Sequence, residues 1–369
     1  MKRVLIAMSG GVDSSVAASL MQQQGWDCIG ATMTLYRNED IGISRSRTCC
    51  SLEDVEDARS VAHKLNMPYY VFNFSDEFRC QVMDRFADAY ERGQTPSPCI
   101  DCNRYLKFRR LYDRAALMGC DAIATGHYAQ TEYDDEGRKW LTTSPDPVKD
   151  QTDFLAQIYD WQLAKALFPI GHYVKNEVRE IAEREHLVNA RRKDSQGICF
   201  LGNINYDDYV RRFVGERIGD VIELETGRKI GEHKGHWFHT IGQRKGLGLG
   251  GGPWFVVRKD IDRNILYVSH GYDPQTAYRQ DIPMHDLHWL TCPPADDAHT
   301  PAVSDSRHLR VTFKIRHTPG YLPGPLELLD GNPAVLHADK PVHGVAPGQF
   351  CVVYDQNHHR CYGSAEITL

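Results

Sequence analysis

Two cysteines stand three positions apart in "PSPCIDCNRYLKF", residues 96–108, and a third, Cys199, lies in "KDSQGICFLG". A Cys99-x-x-Cys102 turn suits a metal clamp or thiol exchange, since both need two sulfurs within a few ångströms. A structural zinc clamp would also want a second Cys-x-x-Cys or a histidine pair at finger spacing, and the sequence has neither. A different chemistry is suggested by "MSGGVDSS", Met8 to Ser15. Gly10 and Gly11 let the backbone turn tightly and approach an anion, and Ser9, Ser14 and Ser15 add hydroxyl donors. The unpaired N–H groups of a following helix would point at the same anion. The loop lacks the spacing and lysine of G-x-x-x-x-G-K-[ST], and it is not G-x-G-x-x-G either.

The elements that must position these groups alternate strand and helix over the first third. Val4 to Met8 reads as a short apolar strand, followed by a helix from about Asp13 with Val16, Ala17, Leu20 and Met21 on one face and Gly25 as its stop. Cys28 to Leu35 reads as a second strand. A helix starts at Ser51, an N-cap residue, with Leu52, Val55, Ala58, Ala62 and Leu65 inward. "YYVFNF" and "DAIAT" are further strands, with a long amphipathic segment between them. Repeated β-α units with apolar strands predict a parallel sheet covered on both faces. Met33, Gly126 and His127 then fall at the carboxyl edge of that sheet, where ligands bind.

After about Ile204 the helical period fades into the glycine-rich "HTIGQRKGLGLGGGPWFVV". The last ninety or so residues alternate by twos, with Val311, Phe313 and Ile315 pointing one way and Thr312, Lys314 and Arg316 the other. "GQFCVVYDQNHHRCYG" reads as a hairpin, and the whole predicts a small antiparallel barrel.

The 369 residues allow two or three domains, and 41% hydrophobic with 25% charged residues is ordinary soluble composition. The net charge of −6 disfavours bulk nucleic-acid affinity, yet phosphate binding needs only a local basic face. Lys107, Arg109 and Arg110, or Arg191, Arg192 and Lys193, offer such a face, as would any solvated helix surface. The N-terminus does not read as a signal peptide, and no stretch is long and apolar enough to span a bilayer. Eleven scattered cysteines then predict reduced thiols in the cytoplasm. Cys49 and Cys50 read as helix-entry residues, Cys28, Cys80, Cys120, Cys292 and Cys351 as core or strand residues, and Cys361 as part of the barrel.

"SGGVDSS" resembles the loop of the ATP pyrophosphatases of the PP-loop superfamily. Taken in order with "CNRYLKF", "ATGHYA", "KDQTDFL", "KDSQGICFLG" and "HTIGQRKGLGLGG", it resembles the bacterial tRNA-specific 2-thiouridylases. The resemblance implies an α/β fold with a parallel-sheet ATP pyrophosphatase domain over 1–204 (adenine nucleotide alpha hydrolase-like), a small central tRNA-binding domain over 205–280, and a C-terminal antiparallel β-barrel over 281–369. It implies that ATP, with Mg2+, adenylates the C2 oxygen of the wobble uridine, U34, in a tRNA anticodon loop, and that sulfur then replaces the oxygen. On that resemblance Ala7, Met8, Ser9, Gly10, Gly11, Val12, Asp13, Ser14, Met33 and Gly126 take ATP. Ser97, Pro98 and Cys99 meet the target base, while His127, Lys149, Asp150, Gln151, Arg316, His317 and Gln349 contact tRNA. Cys199 carries the incoming sulfur as a persulfide, and Cys102 is the second catalytic cysteine. The partners implied are tRNA and a sulfur donor protein, either a cysteine desulfurase or a relay protein, with no membrane.

The residue types suit this chemistry, because a thiolate or hydrosulfide is a strong nucleophile at neutral pH. Arg104 and Lys107 stand near enough in sequence to favour a Cys102 thiolate. Many family members carry aspartate where Cys99 stands, and Asp101 occupies a different offset. Two sulfur routes therefore stay open. In one, Cys99 is a bystander to the Cys102–Cys199 pair; in the other, Cys99, Cys102 and Cys199 hold a [4Fe–4S] cluster with one open iron. Arg316-His317 departs from the family's usual arginine-tyrosine, which replaces a phenol by an imidazole. Rival readings are an amidating synthetase or tRNA lysidine synthase with the same loop, or a non-enzymatic RNA-binding protein.

Overall fold

The computed structural model describes residues 1–36, 52–193, 210–212, 214–271, 278–291, 308–330 and 332–368. The expected parallel sheet has five strands in the order β3-β2-β1-β4-β7. These are β1 (Arg3–Ala7), β2 (Asp27–Thr34), β3 (Tyr69–Asn73), β4 (Ala122–Thr125) and β7 (Ala166–Leu167). Val4, Leu5 and Ile6 of the central β1 are fully buried, each contributing roughly 1.5–3 kcal/mol from the surface removed from water. The strand order reverses direction at β1, so the crevice between the ends of β1 and β4 is the place where such sheets bind ligands.

Helix α1 (Val12–Gln23) leaves β1 through the Gly10-Gly11 turn. It ends in a Schellman motif: Gly25 takes φ +80°, Gly25 N–H donates to Gln22, and Trp26 N–H to Met21. The helix has no solvated face along its first ten residues apart from Asp13, because the sheet covers one side and α9 (Lys175–Arg184) another. Helix α2 (Leu52–Lys64) buries Val55, Ala58 and Ala62 as expected. The amphipathic stretch after β3 forms α3 (Ser75–Phe78) and α4 (Asp84–Glu91) joined by a π-helical turn, Arg79–Met83. A second run starts at α5 (Pro98–Asp101), widens into a π-helical segment, Cys102–Arg110, and tightens again in α6 (Leu111–Leu117).

The central region forms a sheet of β10-β11-β8-β9, built from β8 (Gly219–Glu223), β9 (Lys229–His233), β10 (Trp254–Asp260) and β11 (Ile265–His270). The C-terminal barrel closes through six strands: β12 (Tyr278–Trp289), β15 (Ala334–His343), β14 (Leu322–Leu328), β13 (His308–Lys314), β16 (Phe350–Tyr354) and β17 (Arg360–Ile367), with β17 pairing back to β12. The start of β17 also pairs with β6 (Lys139–Thr142), whose hairpin partner is β5 (Gln130–Tyr133). The first region thus extends the barrel's sheet, and Trp140 is fully buried among barrel side chains.

Thr312 and Lys314, on the opposite face of β13 from Val311 and Phe313, are buried as well, because that face of the barrel packs against the first region rather than water. One expectation needs correction. Cys80 lies on the π-turn and is exposed, whereas Cys28, Cys120, Cys351 and Cys361 are buried as expected. Ser51, Cys49, Cys50 and Cys292 lie outside the described residues.

Candidate active site

The loop after β1 is closed by its own serines. Ser14 Oγ donates to the Gly11 carbonyl at 3.1 Å and accepts from Ser9 N–H at 3.2 Å, while Ser15 Oγ donates to the Gly11 carbonyl at 3.0 Å. Burial alternates along the loop: Met8, Gly10, Val12 and Ser14 turn inward, and Ser9, Gly11 and Asp13 stay accessible. Gly10 has φ +76°, and a Cβ there would come within 2.4 Å of the Asp54 carbonyl oxygen. Gly126, after β4, is packed so closely that a Cβ would lie 2.7 Å from Ser14 N and 2.8 Å from the Asp13 carbonyl carbon. Its lack of a side chain therefore sets how deeply the start of α1 seats against the end of β4. Met33 is part-buried at the end of β2.

The cation that the loop motif lacks arrives from far along the chain. Lys175 Nζ lies 2.7 Å from Asp13 Oδ1, and Tyr128 Oη donates to the same oxygen at 2.8 Å. Lys175 opens α9, where its backbone N–H is held by Asp146 at 3.0 Å and the Val174 N–H by Glu177 at 2.9 Å. Nothing in the local sequence ties this lysine to the loop. Its relation to the loop is purely tertiary.

Tyr128 also joins the loop to a second feature. Its backbone N–H donates to Gln151 Oε1 at 3.1 Å, and the Gln151 N–H donates to the Tyr128 carbonyl at 2.9 Å. Gln151 leads into α7 (Thr152–Leu155), which helps to wall a cavity of about 180 Å³. The other walls include Ser97 at the entry to α5, Arg316 and His317 just after β13, and Gln349 just before β16. Arg316 Nη2 donates to the Gly344 carbonyl, burial lowers its pKa, and its Nε is buried without a hydrogen-bond partner among the described residues. His317 Nδ1 meets the buried Asp153 carboxylate at 3.0 Å, and its ring lies over Phe154 with centroids 4.6 Å apart. The Asp153 hydrogen bond raises the His317 pKa above the usual imidazole value, against an opposing effect of burial. Gln349 accepts from the Ala346 N–H at 3.2 Å.

Cys99 and Cys102 begin the helix that follows Ser97, with Pro98 at its first turn, where a missing N–H costs nothing. Cys99 is partly exposed; Cys102 is 1% exposed and packs in the core of the parallel-sheet region. Both are reduced. Cys102 opens the nine-residue π-helical segment, a geometry that recurs at functional sites. The Arg104 guanidinium turns away to Gln157 and Tyr159 and stacks over the Tyr159 ring at 4.5 Å. Asp101 takes a 3.3 Å hydrogen bond from Arg85; burial raises its carboxyl pKa and Arg85 opposes that shift. The turn and irregular chain before Ser97 are gripped from two sides. Lys259 Nζ donates to the Gly93 carbonyl at 3.2 Å from β10, and Thr95 N–H to the Pro347 carbonyl at 2.7 Å from the barrel. Burial brings the Lys259 ammonium down to a pKa of about 8.

Comparison with known proteins bears on this geometry. Three family profiles match in sequence: a tRNA methyl transferase HUP domain over residues 2–203, a tRNA methyl transferase PRC-barrel domain over 207–270, and an aminomethyltransferase β-barrel domain over 279–367. The tRNA-specific 2-thiouridylase of Bacteroides thetaiotaomicron is 46% identical over 361 residues, covering 98% of each chain. Those of Parabacteroides distasonis and Porphyromonas gingivalis are each 45% identical, over 98% and 99% of this chain and 97% and 99% of their own. The chain belongs to the tRNA-specific 2-thiouridylase family.

In this member of the family, the residues expected to contact tRNA fall into two groups. Ser97, Arg316, His317 and Gln349 share one cavity wall, although they come from three distant parts of the sequence. Asp150 and His127 are instead buried. Asp150 accepts from Ser144 N–H at 3.1 Å and Thr152 Oγ1 at 2.8 Å and lies 3.5 Å from Lys314 Nζ; His127 Nδ1 pairs with Thr125 Oγ1 at 2.7 Å. Lys149 and Gln151 flank Asp150 and stay part-exposed. Pro98 is buried behind Ser97. Among the described residues no group of three His, Cys, Asp or Glu side chains is placed to hold a metal ion, and Cys199 lies outside them. Arg192, read as part of a basic face, is engaged with Asp54 and Asp57 beside the loop. No helix among the described residues is long and apolar enough to cross a membrane.

Proposed function

We propose that this protein is a tRNA-uridine 2-sulfurtransferase that converts the wobble uridine of a tRNA to 2-thiouridine, with ATP as substrate. The observation that carries this reading is the convergence of Ser97, Arg316, His317 and Gln349 on one cavity, connected through Gln151 and Tyr128 to the nucleotide loop. An ATP-using loop alone would equally serve an amidating enzyme. A polar, aromatic-floored cavity at the head of a two-cysteine helix favours thiolation.

In this account the loop amides and Ser9 hold the phosphates at the start of α1, and Lys175 turns from Asp13 toward them. Mg2+ accompanies ATP, and the accessible Asp13 carboxylate is the group of the loop that suits it. The uridine leaves the anticodon stack and enters the cavity, where His317 and Phe154 offer a stacking surface and Arg316 Nε an unused donor. Its C2 oxygen attacks the α-phosphorus and pyrophosphate leaves, so that AMP becomes the leaving group at C2.

The Cys199 persulfide supplies sulfur. The Cys102 thiolate attacks the Cys199 Sγ, forming a Cys102–Cys199 disulfide and releasing hydrosulfide, which displaces AMP from C2. An external dithiol reduces the disulfide for the next cycle. Burial of Cys102 shields its thiol from bulk oxidants. The persulfide route is preferred over a [4Fe–4S] cluster because it needs only Cys102 and Cys199, leaving Cys99 at the base. A sulfur donor protein recharges Cys199. The division at 1–204, 205–280 and 281–369 assigns catalysis, tRNA contact and cavity closure in that order, and the site of action is the cytoplasm.

The test is pyrophosphate release from ATP with transcripts that differ only at position 34. Release with U34 and none with C34 supports the reading. Thiolation should disappear in Cys102→Ala and Cys199→Ala while pyrophosphate release persists; an amidating enzyme would be indifferent to both substitutions.

A further inference from the structure

The Gly10–Gly11 peptide is the one unit of the nucleotide loop with glycine on both sides, and it is held from outside the loop. Its carbonyl oxygen accepts from Asn189 Nδ2 at 2.7 Å and from Arg192 Nη1 at 3.2 Å. Asn189 Nδ2 also donates to Ser15 Oγ at 2.9 Å, so both amide hydrogens of this buried side chain are engaged. Arg192 is fixed in turn by Asp54 and Asp57 of α2, the latter at 2.5 Å. Both residues lie in the turn and irregular chain after α9, the helix that opens with Lys175. One segment therefore grips the loop at Asp13 and again at Gly10. Neither Asn189 nor Arg192 has a part in the chemistry described above.

A trans peptide is planar, with its C=O and N–H on opposite sides, so whatever holds the oxygen also aims the hydrogen. With the Gly10 oxygen drawn to Asn189 and Arg192, the Gly11 N–H points the other way. It reaches Ser9 Oγ at 3.4 Å, a long and weak contact, and Gly11 is accessible, so this N–H is open to a phosphate. The two glycines do not fix that orientation themselves. Turning the peptide over would change ψ at Gly10 and carry Gly11 to positive φ, and glycine accepts either sign of φ at little cost. The φ of −81° at Gly11 is one that any residue adopts, and a Cβ there would meet only Ser9 Oγ, at 3.4 Å. Glycine at this position thus carries a freedom that the observed state does not use. The turned peptide would present a carbonyl oxygen to the phosphates and repel them. We infer that Asn189 and Arg192 are positioning residues that hold the Gly10–Gly11 peptide in the orientation that binds phosphate and against the one that rejects it. Their donors stabilise the first orientation only. An anion accepting from the Gly11 N–H makes the Gly10 carbonyl a stronger acceptor, so phosphate and anchor reinforce each other. This inference rests on the proposed use of ATP by the loop.

The experiment compares the affinities of adenosine and of α,β-methylene ATP with Mg2+ by titration calorimetry; their ratio reads the phosphate contribution. Asn189→Asp keeps the shape of the side chain but replaces the donor facing Gly10 with a carboxylate. That group repels the Gly10 carbonyl, accepts from a turned Gly11 N–H, and stands beside the Arg192 guanidinium, which limits the cost to the fold. In this variant the ratio should fall about 10- to 100-fold while adenosine binds as in wild type, within about twofold. Arg192→Gln, which leaves Asn189 in place, should lower the ratio about threefold to tenfold, and Arg192→Lys should recover part of that loss. Should Asn189→Asp fold poorly, Asn189→Ala combined with Arg192→Gln removes both holds and should lower the ratio more than either change alone. An Asn189→Asp protein with the wild-type ratio overturns the inference. So does a parallel loss of adenosine and analogue, which a merely structural role would produce, and so does a wild-type protein that binds the two equally. Failure of the proposed function is a separate result: it would appear as absent 2-thiouridine in wild-type reactions while the phosphate preference, and its loss in Asn189→Asp, remained.

Discussion

Lys175 Nζ and Asp13 Oδ1 are 2.7 Å apart although 162 residues separate them, and this pair completes the nucleotide loop with a cation that its own motif does not contain. The ammonium is largely shielded by its surroundings, with its side chain 12% exposed, so it is well placed to follow a phosphate that displaces the carboxylate. Lys175→Met should raise the KM for ATP about 10- to 100-fold, the worth of a charge-assisted hydrogen bond of about 1.5–3 kcal/mol. Initial rates of pyrophosphate release against ATP concentration check this. Lys175→Arg should fall between the two.

Gly126→Ala should damage nucleotide binding without removing any group that touches ATP. The new methyl would meet backbone atoms of Asp13 and Ser14, which cannot yield as a flexible side chain would. Overpacking of this kind costs about 1–3 kcal/mol. Titration calorimetry with an ATP analogue should show weaker binding by about tenfold, alongside a lowered melting temperature.

The Lys314–Asp150 pair crosses from the barrel to the first region, with side chains 4% and 1% exposed. Removing one partner strands a buried charge, so Lys314→Met should destabilise by about 3–5 kcal/mol in urea unfolding. Lys314→Met with Asp150→Asn should recover a substantial part of that loss. Burial raises the Asp150 pKa above the ordinary carboxylate value. A raised carboxyl pKa contributes stability that is present at low pH and lost as pH rises through it. The loss caused by Lys314→Met should therefore shrink as pH is lowered toward 5.

His317 should give tRNA binding a pH dependence that Asp153 controls. Its pKa is raised chiefly by the Asp153 hydrogen bond, with Lys314 opposing and the more distant Asp150 assisting; the Arg316 guanidinium flanks it on the same cavity wall. A raised imidazole pKa keeps the cation to higher pH, so tRNA affinity should be greatest at low pH and weaken as pH rises through that value. In Asp153→Asn the midpoint should move down and affinity at pH 7.5 fall about threefold to tenfold. Filter binding from pH 5.5 to 8.5 measures both. An unchanged midpoint would remove His317 as the titrating contact.

What was legible in the sequence was local or periodic. "MSGGVDSS" announces a strand-loop-helix because glycine freedom, hydroxyls and the flanking apolar runs lie within a few residues, and Gly25 marks the end of α1 for the same reason. Lys175 and Arg192 were not legible as parts of the loop, since each reads locally as a helix or surface cation and only tertiary folding brings it to Asp13 or Gly10. Period-two alternation located the inward face of β13 but could not say what lay on its other side. Thr312 and Lys314 are buried there by another part of the chain. The cavity is the clearest instance: the resemblance named Ser97, Arg316-His317 and Gln349 as contacts, but only the folded barrel brings these three distant stretches to one wall.

The central claim is the conversion of one uridine oxygen to sulfur at the expense of ATP. Unmodified tRNA with U34 should be incubated with the protein, a sulfur source and a dithiol, then digested and analysed by nucleoside mass spectrometry. The account predicts 2-thiouridine at position 34 only when ATP is present, with AMP and pyrophosphate formed in equal amounts and no product from Cys199→Ala. Thiolation without ATP, or an ATP-dependent product bearing nitrogen in place of sulfur, would contradict it.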